Sequence, residues 1–252
     1  MYSYEYRFYP DISKIEIEEF CDIVLSRFIS SLTRNGQIID QHWNIIAEGE
    51  VIKFICLAIN IDSLDSKYHN NHCKKFLKEL NELSFREPDY ILIGKTLLMS
   101  DVCKCTEPSY YILFTTSSAD YSPISCGDCD LAVPLYKFPI LNDDEDYYTI
   151  RGWETEYQAC DSLFMNTRVG EKYGYRQISN INSTLSVEGL EICKKMSSAV
   201  GKPFFYFLHK WYSPQKDYCP ICGEYWRLDE CLHDLYTHKC DKCFIMSDSP
   251  KK

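Results

Sequence analysis

The chain has 252 residues, of which 45% are hydrophobic and 15% aromatic, enough for one large core or several small ones and too apolar for long disorder. Its 27 Lys and Arg stand against 37 Asp and Glu, a formal charge of −10, which is the wrong sign for sequence-independent binding to phosphates and the right one for a basic protein partner. No stretch approaches the ~20 apolar residues of a membrane span, and Met1–Pro10 lacks the features of a signal peptide. A cytoplasmic, non-membrane protein is therefore expected, in which the 14 cysteines serve metal binding or packing rather than disulfides.

In chain order, Tyr2, Tyr4, Tyr6 and Phe8 alternate with Ser3, Glu5 and Arg7, the period of a half-buried strand whose aromatic face meets helices. Ile17, Phe20, Val24, Phe28 and Leu32 recur at helical spacing between Ser13 and Leu32, behind Glu16, Glu18 and Glu19. The runs Ile38–Ala47 and Val51–Ile61 flank Glu48-Gly49-Glu50 and read as an antiparallel hairpin. A second helix is expected over Leu64–Leu83, and Tyr90–Ile93 as a further strand. The order β-α-β-β-α-β in about 100 residues is that of the ferredoxin-like arrangement, placed at residues 1–99.

Residues 100–140 have little helical periodicity and open a Cys-rich module that extends, with helices and a strand, over residues 100–212. The acidic run Asp143, Asp144, Glu145 and Asp146 reads first as a solvated linker or helix start, and second as a contact for a basic partner. Helices are expected over Tyr147–Phe164 and Ser183–Ala199, and a buried strand over Pro203–Leu208. The expected fold class is α+β, with residues 213–252 as a C-terminal zinc ribbon.

That ribbon is inferred from Cys219-Pro-Ile-Cys222 and Cys240-Asp-Lys-Cys243, two C-x-x-C pairs 17 residues apart, the spacing at which two tight turns pinch one tetrahedral Zn²⁺ over residues 217–246. Cys231, His233 and His238 lie between the pairs and break their spacing, so packing or exposure is their expected role. Cys103-Lys-Cys105 and, 20 residues later, Cys126-Gly-Asp-Cys129 suggest a second zinc, although C-x-C is tighter than the usual knuckle and one of its cysteines could be replaced by another ligand. Cys21, Cys56, Cys73, Cys160 and Cys193 fall on or near apolar faces and read as core residues. His69 and His72, i and i+3 in the expected second helix, read as an exposed face, since no H-E-x-x-H accompanies them.

Ser122-Pro-Ile-Ser-Cys126-Gly-Asp-Cys129, Val133-Pro-Leu-Tyr-Lys-Phe-Pro139, Leu185-Ser-Val-Glu-Gly-Leu-Glu-Ile-Cys193 and Pro203-Phe-Phe-Tyr-Phe-Leu208, followed by the terminal ribbon, resemble a bacterial zinc-ribbon-containing family of unknown function to which nucleic-acid binding has been ascribed. The resemblance covers most of residues 100–246. It implies a cytosolic zinc protein and carries over no catalytic residue.

Four thiolates close a zinc coordination sphere, so these ions would be structural, and neither a Walker, a G-x-G-x-x-G nor a G-x-S-x-G pattern is present. The expected function is non-enzymatic protein–protein interaction, for example an acidic inhibitor or immunity protein for a basic toxin or nuclease. Nucleic-acid binding by the ribbon is the alternative, and a hydrolase with an unrecognised site the third. From Lys202 onward 8 basic residues face 7 acidic ones, which leaves no basic stripe for phosphates.

Overall fold

The computed structural model describes residues 1–39, 44–97, 101–141 and 146–248. Two compact units divide the chain: the first takes Met1–Val102, Asp120–Ser122 and Pro134–Tyr148, the second Cys103–Ala119, Pro123–Val133 and Thr149–Lys252.

In the first unit, β1 (Tyr2–Phe8) leads through α1 (Ile17–Glu19), a wider π-type turn (Phe20–Leu25) and α2 (Ser26–Arg34) to the hairpin β2 (Asn44–Glu48) and β3 (Val51–Ala58). Then α3 (Asn71–Glu82) leads to β4 (Asp89–Lys95). The sheet order is β2-β3-β1-β4, antiparallel throughout, so the β-α-β-β-α-β order folds with β1 and β3 in the middle. Tyr4, Tyr6 and Phe8 are buried against Phe20, Val24, Phe28 and Leu32 of the first helical segment and Leu80 of α3, as the alternation of β1 requires. Each large side chain so buried contributes ~1.5–3 kcal/mol.

Three expectations for the helices and the acidic run of this unit need correction. The first helical segment is not one regular helix from Ser13, because it begins at Ile17 and widens over Phe20–Leu25, where the Ser26 hydroxyl donates to the Asp22 carbonyl at 2.6 Å. The second helix does not start at Leu64. The Asn70 side chain accepts from the Cys73 N–H at 2.8 Å and caps the helix at Asn71, leaving one 3₁₀ turn, Ser66–Tyr68, before it. Asp143, Asp144 and Glu145 lie outside the described residues, whereas Asp146 is not solvated: it is buried, 3.3 Å from Arg34 and 3.6 Å from His72.

The second unit holds β5 (Tyr111–Leu113), β6 (Ile124–Cys126), α4 (Tyr148–Asn166), α5 (Glu171–Ser179), α6 (Thr184–Val200), β7 (Phe204–Leu208), β8 (Arg227–Leu232), β9 (Tyr236–Cys240) and β10 (Ile245–Ser247). Its strands form one sheet in the order β6-β5-β7-β10-β9-β8, with β7 parallel to both β5 and β10 and the other pairs antiparallel. All five residues of β7 are buried, which explains its unbroken apolar run. On α6, Ser183 caps the N-terminus, and Gly189 admits the Tyr206 ring so closely that a Cβ would lie 2.3 Å from it. Trp153 of α4 donates its indole N–H to the Leu185 carbonyl at 3.2 Å, joining α4 to α6. Among the described residues no helix is long and apolar enough to cross a membrane.

Candidate metal centres

Cys126, Gly127, Asp128 and Cys129 form a tight turn at the end of β6. The Cys126 N–H donates to the Leu131 carbonyl at 2.9 Å, the Asp130 N–H donates back to the Cys126 carbonyl at 2.8 Å, and Asp130 takes the left-handed φ of 56° that reverses the chain. The same turn recurs at Cys219: its N–H donates to the Glu224 carbonyl at 2.8 Å, the Gly223 N–H returns to the Cys219 carbonyl at 2.9 Å, and Gly223 has φ 75°. A third copy follows β9, where Cys240 pairs with Ile245 across the turn and Phe244 has φ 53°. In all three, the first cysteine faces the residue five positions on and the residue after the second cysteine is left-handed. Glycine adopts that conformation freely; Asp130 and Phe244 adopt it against the preference of L side chains.

These turns point backbone N–H groups at sulfur. Burial pushes the Cys126 thiol up, but the N–H groups of Asp128 and Cys129 and the neighbouring thiols outweigh it and hold Cys126 below the usual thiol range. The N–H of Glu224 does the same for Cys222. Burial raises Cys103, Cys129, Cys240 and Cys243, so each group pairs one cysteine that favours the thiolate with two that favour the thiol.

The fold brings the expected ligands together in two groups. The sulfurs of Cys103, Cys105, Cys126 and Cys129 all lie within 4.8 Å of one another, and so do those of Cys219, Cys222, Cys240 and Cys243. In the second group the Cys222 and Cys240 sulfurs are 3.7 Å apart, which matches the edge of about 3.8 Å expected for a tetrahedron of sulfurs around Zn²⁺ with bonds of about 2.3 Å. In the first group the C-x-C segment reaches the site because the Cys103 N–H donates to the Ala132 carbonyl at 2.9 Å, on the return limb of the Cys126 turn. The Cys105 N–H also points at the Cys103 sulfur, at 3.4 Å.

Neither Cys231, His233 nor His238 belongs to a group. Cys231 is exposed, and His238 is buried with its ring 5.1 Å from that of Trp226. His233 has a role the sequence did not suggest: at the tip of the β8–β9 hairpin its Nε2 meets the Gly127 carbonyl at 2.7 Å, while the Tyr236 hydroxyl donates to Asp130 at 2.9 Å. The hairpin leading to one cysteine group therefore rests on the knuckle of the other. The left-handed residues Asp130, His233 and Asp234 mark both sides of that contact.

His69 and His72 do not share an exposed helix face. His69 precedes the helix cap, is buried with its ring 6.1 Å from Phe28, and neither ring nitrogen has a hydrogen-bond partner among the described residues. Burial lowers its pKa, so it sits as neutral imidazole. Among the remaining cysteines, Cys56, Cys73 and Cys193 are buried as expected, with the Cys56 thiol pushed up to about 12 by burial, and Cys21 and Cys160 are half-buried. Raised thiols of this kind are poor nucleophiles.

An uncharacterised protein of Haemophilus influenzae is 28% identical over an alignment of 236 residues that covers 89% of this chain and 89% of the relative. A second uncharacterised protein of the same organism is 31% identical over 162 residues, 62% of this chain and 79% of the relative. The chain belongs to the family of these bacterial proteins. Across this family member, residues 1–94, 105–209 and 211–250 each match a domain of unknown function, DUF8589, DUF2310 and DUF8594 respectively. Two solved structures are similar to part of it: a conserved protein from Methanosarcina mazei Go1 (18% identity, 38% of this chain and 95% of that one, TM-score 0.30) and an antibiotic biosynthesis monooxygenase (15% identity, 38% and 100%, TM-score 0.28).

Proposed function

We propose that each cysteine group holds one structural Zn²⁺, that the second group makes residues 217–246 a zinc ribbon, and that the protein acts by binding another protein. Four sulfurs per group leave no open coordination position, so the metal would brace the fold rather than activate water. The observation that carries the binding role is β4. Among the described residues it is an edge strand with an unpaired backbone side, and Tyr90, Ile91, Leu92 and Ile93 are 39%, 44%, 44% and 57% exposed. An open apolar edge is a template for a partner's strand. The net charge of −10 favours a partner with a basic surface, a toxin or nuclease among them.

A second reading, nucleic-acid binding by the ribbon, draws support from Tyr218 and Tyr225, 64% and 61% exposed and of a kind that stacks bases. Affinity capture from cells, with and without nuclease, separates the two. A basic protein retained after nuclease and lost in Leu92→Lys supports protein binding. Recovery abolished by nuclease supports the second reading and overturns the first. Metal analysis of the purified chain should return two Zn²⁺, and a zinc-free, folded chain would overturn the structural assignment.

A further inference from the structure

Between α4, the segment after β5 and the segment after β7, the second unit encloses an open cavity of about 500 Å³, within the range of small-molecule sites. Its walls include the rings of Phe114, Tyr157, His209 and Trp211, the thioether of Met165 and the carboxylate of Asp161. No lysine or arginine is among the described lining residues. The aromatic wall is fixed from behind: Phe114 packs on Tyr157 with centroids 6.0 Å apart, and the planes of His209 and Trp211 differ by 28°. Trp211 is nevertheless 54% exposed, so one large π-surface remains available at the mouth. Asp161 is oriented by the Ser117 N–H, which donates to it at 2.7 Å. His209 is held by Asp248, 3.1 Å from its Nδ1.

We propose that this cavity binds a small organic cation of the alkylammonium class, with the charged head against Asp161 and its alkyl groups against Trp211 and Phe114. Aromatic faces carry negative quadrupole potential, and together with a carboxylate they favour a weakly hydrated cation while rejecting anions. A neutral apolar ligand would satisfy the rings but leave Asp161 desolvated without a counter-charge. The protein's net negative charge raises the local concentration of such a ligand.

The test is titration of the full-length, metal-loaded protein with choline, and in parallel with the neutral analogue in which carbon replaces the ammonium nitrogen, read by Trp fluorescence and by calorimetry. Choline should bind, the neutral analogue should bind more weakly by about tenfold, and Trp211→Ala should weaken choline by a similar factor, the scale of a desolvated cation–π contact. Asp161→Asn keeps an acceptor for the Ser117 N–H while removing the charge, and should erase the preference for choline over its analogue. Trp211→Phe should retain binding and guards against misfolding as the cause of loss. Equal affinity for choline and its analogue, no binding of choline, or unchanged preference in Asp161→Asn would each overturn the proposal.

Discussion

The two cysteine groups hang from the same six-stranded sheet but are built differently. The group at Cys219, Cys222, Cys240 and Cys243 joins two equivalent knuckles, each with its own backbone hydrogen-bonded turn and left-handed exit residue. The group at Cys103, Cys105, Cys126 and Cys129 has one such knuckle, and its C-x-C half lacks the exit. That half is held instead by a neighbour, through the bond from Cys103 to Ala132. Local spacing is thus enough to shape a site when both halves are self-supporting, whereas a truncated half needs the tertiary fold to bring it into reach. The same difference leaves Cys105 exposed while Cys103 and Cys126 are buried.

The largest expected effect breaks the self-supporting group. Cys222→Ser should release one of two Zn²⁺ and unlock amide exchange across Tyr236–Ser247, because structural zinc contributes on the order of 10 kcal/mol to the folding of such modules. Native mass spectrometry with hydrogen exchange reads both, and a variant that keeps two ions with protected β9 would break the comparison. Next, Cys126→Ser should release the other ion, while Cys105→Ser should weaken metal binding less, since an exposed position admits water as a substitute ligand. Competition with a chromophoric chelator ranks these two variants, and the reverse order would show that the C-x-C half dominates. Smaller still, Tyr236→Phe removes the hydroxyl that donates to Asp130, and should lower stability by ~1–3 kcal/mol in thermal unfolding. If the hairpin contact links the groups, the same variant also loosens metal at Cys126.

The smallest effect is a control outside both groups. His69 has a native pKa below its ordinary value of 6.5, because burial disfavours the imidazolium. Above pH 6.5 neither state is protonated there and His69 contributes no pH dependence. As pH falls through that value, the unfolded chain takes up a proton that the native state refuses, so stability declines until the native pKa is reached. Urea unfolding of wild type and His69→Phe at pH 5 and pH 7.5 should show a pH loss in the former that is smaller in the latter, with metal content unchanged.

The alternation of Tyr2, Tyr4, Tyr6 and Phe8 made β1 legible; paired C-x-x-C spacings made the Cys219 group legible, and a C-x-C with a C-x-x-C pointed to the Cys103 group. His69 was misplaced because apolar spacing alone extended the helix back to Leu64, while Asn70 offers its side chain to Cys73 and ends it first. The helix at Glu171–Ser179 was not visible, since it buries only Gly174, Ile178 and Ser179 and so carries little apolar periodicity. The three-residue strand Tyr111–Leu113 is too short to show a period, and its parallel pairing with β7 joins residues some ninety positions apart. The docking of His233 and Tyr236 on the Cys126 knuckle is equally distant in sequence, and no local pattern encodes it.

The position of β10 has a consequence for how the molecule is made. It lies between β7 and β9, so the strand synthesised last among the described ones fills a place inside the sheet rather than at its rim. During translation the strands β6-β5-β7 and the hairpin β8–β9 emerge first and have no direct pairing with each other until Ile245–Ser247 leaves the ribosome. A nascent chain stalled before that point would expose two unfilled strand edges, β7 and β9, a state prone to association with other nascent chains and a natural client for holdase chaperones.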